Sequence, residues 1–337
     1  MRLIKTEDAV GHVLCHDMTQ IIKDQYKDAR FRKGHVVTEE DIPVLLSMGK
    51  EHLYVWEMTS GMVHENDAAE RLLALCGQEN MIRSGVKEGK IELKAACDGV
   101  FLVDSARLVA VNSQDEVMIA TRKGGMAVRE GDKLAGMRVI PLIIEEEKLR
   151  KAEQTAGDKP LLSLKPYVRK TACIVATGGE VKKGLIKDTF TPVVIDKLKT
   201  YGIETLEVVY SGDGVENVRD AVLTMREKKP DMILCTGGMS VDPDDNTPGG
   251  IKAAGANIIA YGAPVLPGAM FLLGYFDDGM PVMGLPGCVM YAGATVFDLV
   301  LPKIAADVPV TRADLAALGE GGLCLGCKPC HYPICPF

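Results

Sequence analysis

After Pro166 the chain alternates short apolar runs with longer amphipathic ones, and this alternation constrains the fold more than any other feature. Thr171 to Ala176 reads as a strand, and Phe190 to Tyr201 as a helix with Val193, Val194, Ile195 and Leu198 on its apolar side. Glu204 to Val209 is a second strand, Val215 to Lys228 a second helix, and Met232-Ile233-Leu234-Cys235 a third, wholly apolar strand. Strands joined by helices of this length must cross over, which predicts a parallel sheet with right-handed connections. Ligands bind beyond the carboxyl ends of such strands, so chemistry is expected in the loops after Ala176 and Cys235.

Composition narrows the function classes. The chain has 337 residues, 47% hydrophobic and 25% charged, enough for several cores without disulfides. Thirty-nine Lys and Arg against 46 Asp and Glu leave a net charge of −7, which argues against coating nucleic acid or an anionic membrane. A single Trp, Trp56, and 5% aromatic residues offer no stacking platform for bases. The charge-free run from Ala253 to Phe276 is long enough to cross a bilayer, but Pro264, Pro267, Gly255, Gly262, Gly268 and Gly274 interrupt it. Buried strands and turns are expected there instead. Glu7 and Asp8 sit where a secretory signal runs apolar, so a cytoplasmic location is expected. Cys15, Cys76, Cys97, Cys173, Cys235 and Cys288 are scattered as reduced core cysteines are. His12, His16, His35, His52 and His64 lack metal-ligand spacing and are read as structural or surface residues.

Four segments are expected: an N-terminal unit over 1–60, a β-rich middle domain with linker over 61–165, the α/β domain over 166–305, and a Cys-rich tail over 306–337. In the first, Thr38-Glu39-Glu40-Asp41 opens a helix that Gly49 closes. Glu65 to Cys76 is a second helix, stopped by Gly77. Ile91 to Ala95 alternates, and Asp98-Gly99 predicts a hairpin turn into Val100-Phe101-Leu102-Val103. Val109-Ala110-Val111, Val117 to Ala120 and Val139 to Ile144 continue the strand series. Glu145 to Lys159 is an exposed helix or a linker.

Three loops could carry chemistry. Thr177-Gly178-Gly179-Glu180 follows a strand, and paired glycines let backbone N–H groups approach an anion; a tight turn is the plain alternative. The loop from Thr236 through Gly237, Gly238 and Ser240 to Asp242, Asp244, Asp245 and Thr247-Pro248 also follows a strand, and Thr247-Pro248 can start a helix. Its three carboxylates repel unless a cation compensates. Mg²⁺ shared with phosphate oxygens is one solution and a solvated acidic turn the other. Leu285-Pro286-Gly287-Cys288 follows Pro281-Val282-Met283 and leads into a helix expected from Met290 to Leu301.

Together these loops resemble the molybdopterin-binding domain of molybdenum-cofactor biosynthesis proteins. Thr177-Gly178-Gly179-Glu180 is similar to the first glycine loop, Gly184-Leu185-Ile186-Lys187-Asp188 to its "G-x-I-x-D" segment, and Thr236-Gly237-Gly238-x-Ser240 to "TGG-x-S". Asp245-x-Thr247-Pro248 is similar to "D-x-T-P" and Leu285-Pro286-Gly287 to "LPG". The opening Thr6 to Leu14 resembles that of the larger metal-inserting members. The "PGKP" of those members is written here Pro267-Gly268-Ala269-Met270, without its lysine, and "LPGN" ends in Cys288.

The resemblance implies an α/β fold: a three-layer, parallel-sheet molybdopterin-binding domain preceded by a small α/β unit and the β-rich domain. It implies a molybdotransferase-like role, cleaving adenylylated molybdopterin or assisting molybdenum insertion with Mg²⁺. Asp245 and Asp242 would then act on phosphate, with Thr177, Gly178, Gly179, Glu180, Asp188, Thr236, Gly237, Gly238, Ser240, Thr247, Pro286 and Gly287 around the pterin. A homo-oligomer is implied, as is delivery to a molybdoenzyme or another cofactor-biosynthesis protein. Two alternatives stay open: a non-catalytic molybdopterin carrier or sensor, and a nucleotide pyrophosphatase of the competence-damage protein type, whose "GG…DD-x-T" loop is also similar.

The tail adds Cys324, Cys327, Cys330 and Cys335, followed by Pro336. Thiolates this close predict one metal centre, an iron–sulfur cluster or Zn²⁺ held by four cysteines or by three with His331; a metal-free redox or disordered tail is the plain alternative.

Overall fold

The computed structural model describes residues 2–22, 26–55, 61–242, 245–335 and 337; Trp56, Asp244 and Pro336 lie outside them. The chain divides into two units. One holds residues up to Ala95, Val103–Arg122 and Gly131–Ser163; the other holds Ala96–Leu102, Lys123–Glu130 and Leu164–Phe337.

In the first unit, Arg2–Lys5 pairs antiparallel with His52–Val55, and Met18–Ile22 with Tyr26–Phe31. Leu14, Leu45, Leu53 and Val55 form the small core between them. The expected helix near Thr38 runs Asp41–Ser47. Asp41 organises its start by accepting from the Thr38 N–H at 2.9 Å and from the Thr38 hydroxyl. Glu65–Cys76 is helical as expected, closed by Gly77 at φ +74°. Glu146–Ala156 resolves the charged segment as a helix, with Arg71 forked between Glu146 and Glu153 at 2.7 Å to each.

Several local expectations fail for identifiable reasons. Val109-Ala110-Val111 is not a strand but lies in the helix Ser105–Asn112, because Asp104 caps it, accepting from the Arg107 N–H at 3.1 Å. Asp98-Gly99 does not join a hairpin. Ile91–Ala95 pairs with Met81–Arg83 and Lys133–Val139, whereas Gly99–Val103 pairs with Met126–Val128. Pro141 splits the last run, so one strand ends at Val139 and the next spans Ile143–Glu145.

The second unit contains the α/β alternation. Its strands are β1 (Thr171–Thr177), β2 (Glu204–Ser211), β3 (Met232–Thr236), β4 (Asn257–Tyr261), β5 (Leu272–Tyr275) and β6 (Pro281–Leu285). They form one sheet in the order β2-β1-β3-β6-β5-β4. The first four strands in that order are parallel, and β5 runs antiparallel to both its neighbours, β6 and β4. The charge-free run thus forms strands and turns; β5 is buried as expected, whereas β4, at the edge of the sheet, is only partly buried. Among the described residues, no helix is long and apolar enough to cross a membrane.

Side chains alternate across a strand, so a strand buried at every position needs cover on both faces. Ala172 and Ile174 of β1 point into one core with Phe297, Val300 and Leu301. Cys173 and Val175 point into the other, with Val218, Val222 and Met225. The helices are α1 (Gly179–Lys182), α2 (Phe190–Lys199), α3 (Val215–Glu227), α4 (Thr247–Ala253) and α5 (Val296–Ala305). Helices α2 and α5 cover the first face, and α3 and α4 the second, giving three layers. Helix α5 starts at Val296, not at Met290. Thr295 and Asp298 close a capping box there, and Gly287–Met290 is a separate 3₁₀ turn.

Candidate functional site

The expected loops leave the sheet at one edge. The register sets Ala176 beside Thr236, Thr236 beside Leu285, and Thr177 beside Ser211, so the four parallel strands end side by side. Thr177-Gly178-Gly179, Thr236 to Thr247 and Pro286-Gly287 all begin at these ends.

The first two loops are locked together. The buried Thr177 hydroxyl donates to the Thr236 carbonyl at 2.9 Å and lies 3.1 Å from the Thr247 hydroxyl. Thr247 donates to the Gly237 carbonyl at 2.9 Å. Gly237 and Gly238 turn at φ +82° and +56°. A Cβ on Gly237 would lie 2.3 Å from the Thr177 carbonyl oxygen, and one on Gly238 2.7 Å from the Thr247 hydroxyl. Side chains are excluded at both positions by backbone angle and by space.

Gly178-Gly179 meets a partner the sequence reading missed. The Gly179 N–H donates to an Asp213 carboxylate oxygen at 3.0 Å. Asp213 lies in Ser211-Gly212-Asp213-Gly214, immediately after β2, so the strand-end rule applied to that segment would have found it. The Glu180 side chain is exposed. Asp188 turns the chain into α2, accepting from the Phe190 and Thr191 N–H groups at 2.9 and 3.0 Å. Burial pushes its carboxyl up, but donors at Thr191 and Phe190 outweigh this and hold it below the ordinary range. Its other oxygen is buried, with the Thr191 and Tyr210 hydroxyls as its polar neighbours. Tyr210, at the end of β2, is pushed up by burial and by the Asp188 charge. The third loop joins through the Thr189 hydroxyl, 3.1 Å from the Met290 sulfur. Gly287 itself faces open space.

The acidic loop is partly self-satisfied. Asp245 accepts from the Ser240 N–H at 2.8 Å, its own N–H donates to the Asp242 carbonyl at 2.9 Å, and the Ser240 hydroxyl lies 3.4 Å from Asp242. Among the described residues, no three His, Cys, Asp or Glu side chains converge as a metal cage. Mg²⁺ needs only one or two carboxylates beside phosphate oxygens, and exposed Asp242 with half-buried Asp245 fits that donor set. Pro267-Gly268 is occupied otherwise, with a Gly268 Cβ position 2.7 Å from the Val296 side chain at the start of α5.

The tail cysteines are not gathered into the expected single centre. Cys324 and Cys335 pack on the core beside α5, while Cys327 and Cys330 face solvent. Apolar anchoring of the first pair is what separates the four. The scattered cysteines are free thiols, and burial pushes Cys76 and Cys235 up to about 12.

Residues 173–306 match the family model of a probable molybdopterin binding domain, and residues 3–57 match that of a domain of unknown function. The segment carrying all three loops is thus a molybdopterin-binding-type domain. Among curated proteins, the chain is 33% identical to a CinA-like protein of Mycobacterium tuberculosis over 76 residues. That stretch is 23% of this chain and spans only 18% of the relative's length. Solved structures with a similar fold include the molybdopterin biosynthesis Mog protein of Mycobacterium ulcerans (20% identity, 42% of this chain and 97% of that one, TM-score 0.34). CinA of Thermoplasma acidophilum is another (18% identity, 40% and 98%, TM-score 0.35).

Proposed function

We propose that the edge formed by Thr177-Gly178-Gly179, Thr236 to Thr247 and Pro286-Gly287 binds molybdopterin and acts on its phosphate or adenylylated end during molybdenum-cofactor biosynthesis. The observation that carries this reading is the meeting of all three glycine loops at one sheet edge, inside the segment that matches the family model. Gly237 and Gly238 pack tightly on Thr177 and Thr247 and turn at positive φ, and successive backbone N–H groups in such a turn suit a phosphate. Asp242 and Asp245 would hold Mg²⁺, which supplies charge neutralisation at the phosphates.

The test is incubation of the purified protein with adenylylated molybdopterin, Mg²⁺ and molybdate. AMP release that is lost in Asp245→Ala is expected; no AMP and no effect of that variant would reject catalysis. Binding of molybdopterin without turnover would select the carrier reading, which the missing lysine at Ala269-Met270 favours. A CinA-type role, cleaving a nucleotide pyrophosphate, is favoured by the Gly237-Gly238 to Asp245-x-Thr247 loop and by the CinA-like relatives. Calorimetry showing binding of ADP-ribose and none of molybdopterin would select it.

A further inference from the structure

The four thiols of the tail, Cys324, Cys327, Cys330 and Cys335, take no part in the pterin-binding edge proposed above. The segment from Leu323 onward is a strap pinned at both ends. At its start Leu323 bridges to Leu266, and the Cys324 N–H donates to the Leu266 carbonyl at 2.8 Å. At its far end the Tyr332 hydroxyl donates to the Asp298 carbonyl at 2.7 Å, and Phe337 is buried in the core with only 5% of its surface exposed. Cys324 and Cys335 belong to these anchors. Between them the chain arches outward, and Cys327 and Cys330 are exposed. Cys330 rests on Gly293, where a Cβ would come within 2.9 Å of its Cβ and Sγ.

This layout decides between the chemistries open to clustered thiols. A tetrahedral thiolate centre needs all four sulfurs about 2.3 Å from one ion. Cys324 and Cys335 are half-buried within the anchors that hold the two ends of the strap. Cys327 and Cys330, both exposed and separated by Lys328-Pro329, have the C-x-x-C spacing of exchange-active dithiols. We propose that Cys327 and Cys330 are a solvent-facing dithiol that cycles to an intramolecular disulfide by exchange with a low-molecular-weight disulfide.

In the exchange, one of the two thiolates attacks a sulfur of the small disulfide, whose S–S bond breaks to release a thiolate. The second protein thiolate attacks the mixed disulfide and displaces the other small thiolate. The two protons lost by the cysteines end on the two released thiols. The protein pair is oxidised by two electrons and the small disulfide is reduced by two. Because the anchors stay in place, the α/β core is unchanged in both states.

The test equilibrates the full chain in glutathione buffers from reducing to oxidising, quenches with acid, alkylates, digests and maps the tail by mass spectrometry. The expected result is a Cys327–Cys330 cross-link, lighter by two hydrogens and unalkylated, with Cys324 and Cys335 still alkylated. Cys330→Ser should trap one glutathione on Cys327, and Cys327→Ser/Cys330→Ser should keep the wild-type circular dichroism. Four alkylated cysteines at every potential, or a cross-link involving Cys324, Cys335 or Cys288, would overturn the proposal. So would protein purified with one equivalent of zinc, or with iron and sulfide, that protects all four thiols.

Discussion

The lock between the first two loops gives a prediction whose size follows from counting protons. Thr177 and Thr247 bring two hydroxyl protons to three contacts: the Thr236 carbonyl, the Gly237 carbonyl and each other. Both protons are committed to carbonyls, so the 3.1 Å contact between the hydroxyls is satisfied only when one of them turns. Thr177→Val and Thr247→Val each keep the side-chain shape and remove one proton. Each leaves a buried carbonyl short of its donor, costing about 1–3 kcal/mol. In a unit of this size that corresponds to a fall in Tm of about 2–4 °C per kcal/mol. The double variant removes the shared contact only once, so its cost should fall short of the sum by about 0.5–1 kcal/mol. Urea unfolding followed by circular dichroism measures all four proteins, with the m-value as a check that the unfolded states match. Single variants costing under 0.5 kcal/mol, or strict additivity, would refute the lock. Thr247→Val should also weaken pterin binding, because the Thr247 hydroxyl holds the Gly237 carbonyl.

Glycine substitutions separate close approach from plain turns. Gly250→Ala places a Cβ 2.4 Å from the Val218 side chain and should cost about 1–3 kcal/mol, whereas Gly287→Ala meets nothing and should leave the unfolding midpoint unchanged. A Gly287→Ala protein that is stable but binds no pterin would support direct ligand contact at that loop. His64 provides a pH test. Its Nε2 bonds the Cys15 carbonyl at 2.7 Å, and its Nδ1 accepts from the Asn66 N–H at 3.2 Å, so it is held neutral. Burial holds its pKa below the ordinary value near 6.5; the bond to the Cys15 carbonyl opposes this, and the Lys33 charge adds to the lowering. The unfolded chain therefore takes up the proton first. The contribution of His64 is complete above about pH 6.5 and is lost as pH falls through the folded value. Urea midpoints at pH 7.5 and 5.5 should fall more steeply for the wild type than for His64→Gln; equal slopes would reject the assignment. Tyr332→Phe removes the hydroxyl bond to Asp298 and should loosen the strap by about 1 kcal/mol, read as faster proteolysis after Leu323 with the core intact.

Features that rest on local chemistry were legible in the amino-acid order. An apolar run such as Met232-Ile233-Leu234-Cys235 can only be a strand covered on both faces, and the helices between such runs force parallel crossovers. The positions of the glycine loops followed, because strand ends and ligand edges coincide. Gly77 after the helix Glu65–Cys76 was legible for the same reason, since a left-handed backbone favours one residue type.

Only the tertiary structure decided what depends on partners distant in sequence. The dipeptide Asp98-Gly99 has turn chemistry, but the strands on either side of it pair with different neighbours, which no local signal reports. Val109-Ala110-Val111 has strand propensity and is helical because the Asp104 cap outweighs it. The donor that Gly179 spends on Asp213 and the proton sharing of Thr177 with Thr247 join residues 34 and 70 positions apart. The tail shows the same limit. Spacing brought four cysteines into one short segment, but burial of Tyr332 and Phe337 decides which two remain with the core and which two face water. Propensity acts over a few residues, whereas packing acts over whatever the folded chain brings within a few ångströms, and a site is built by the second.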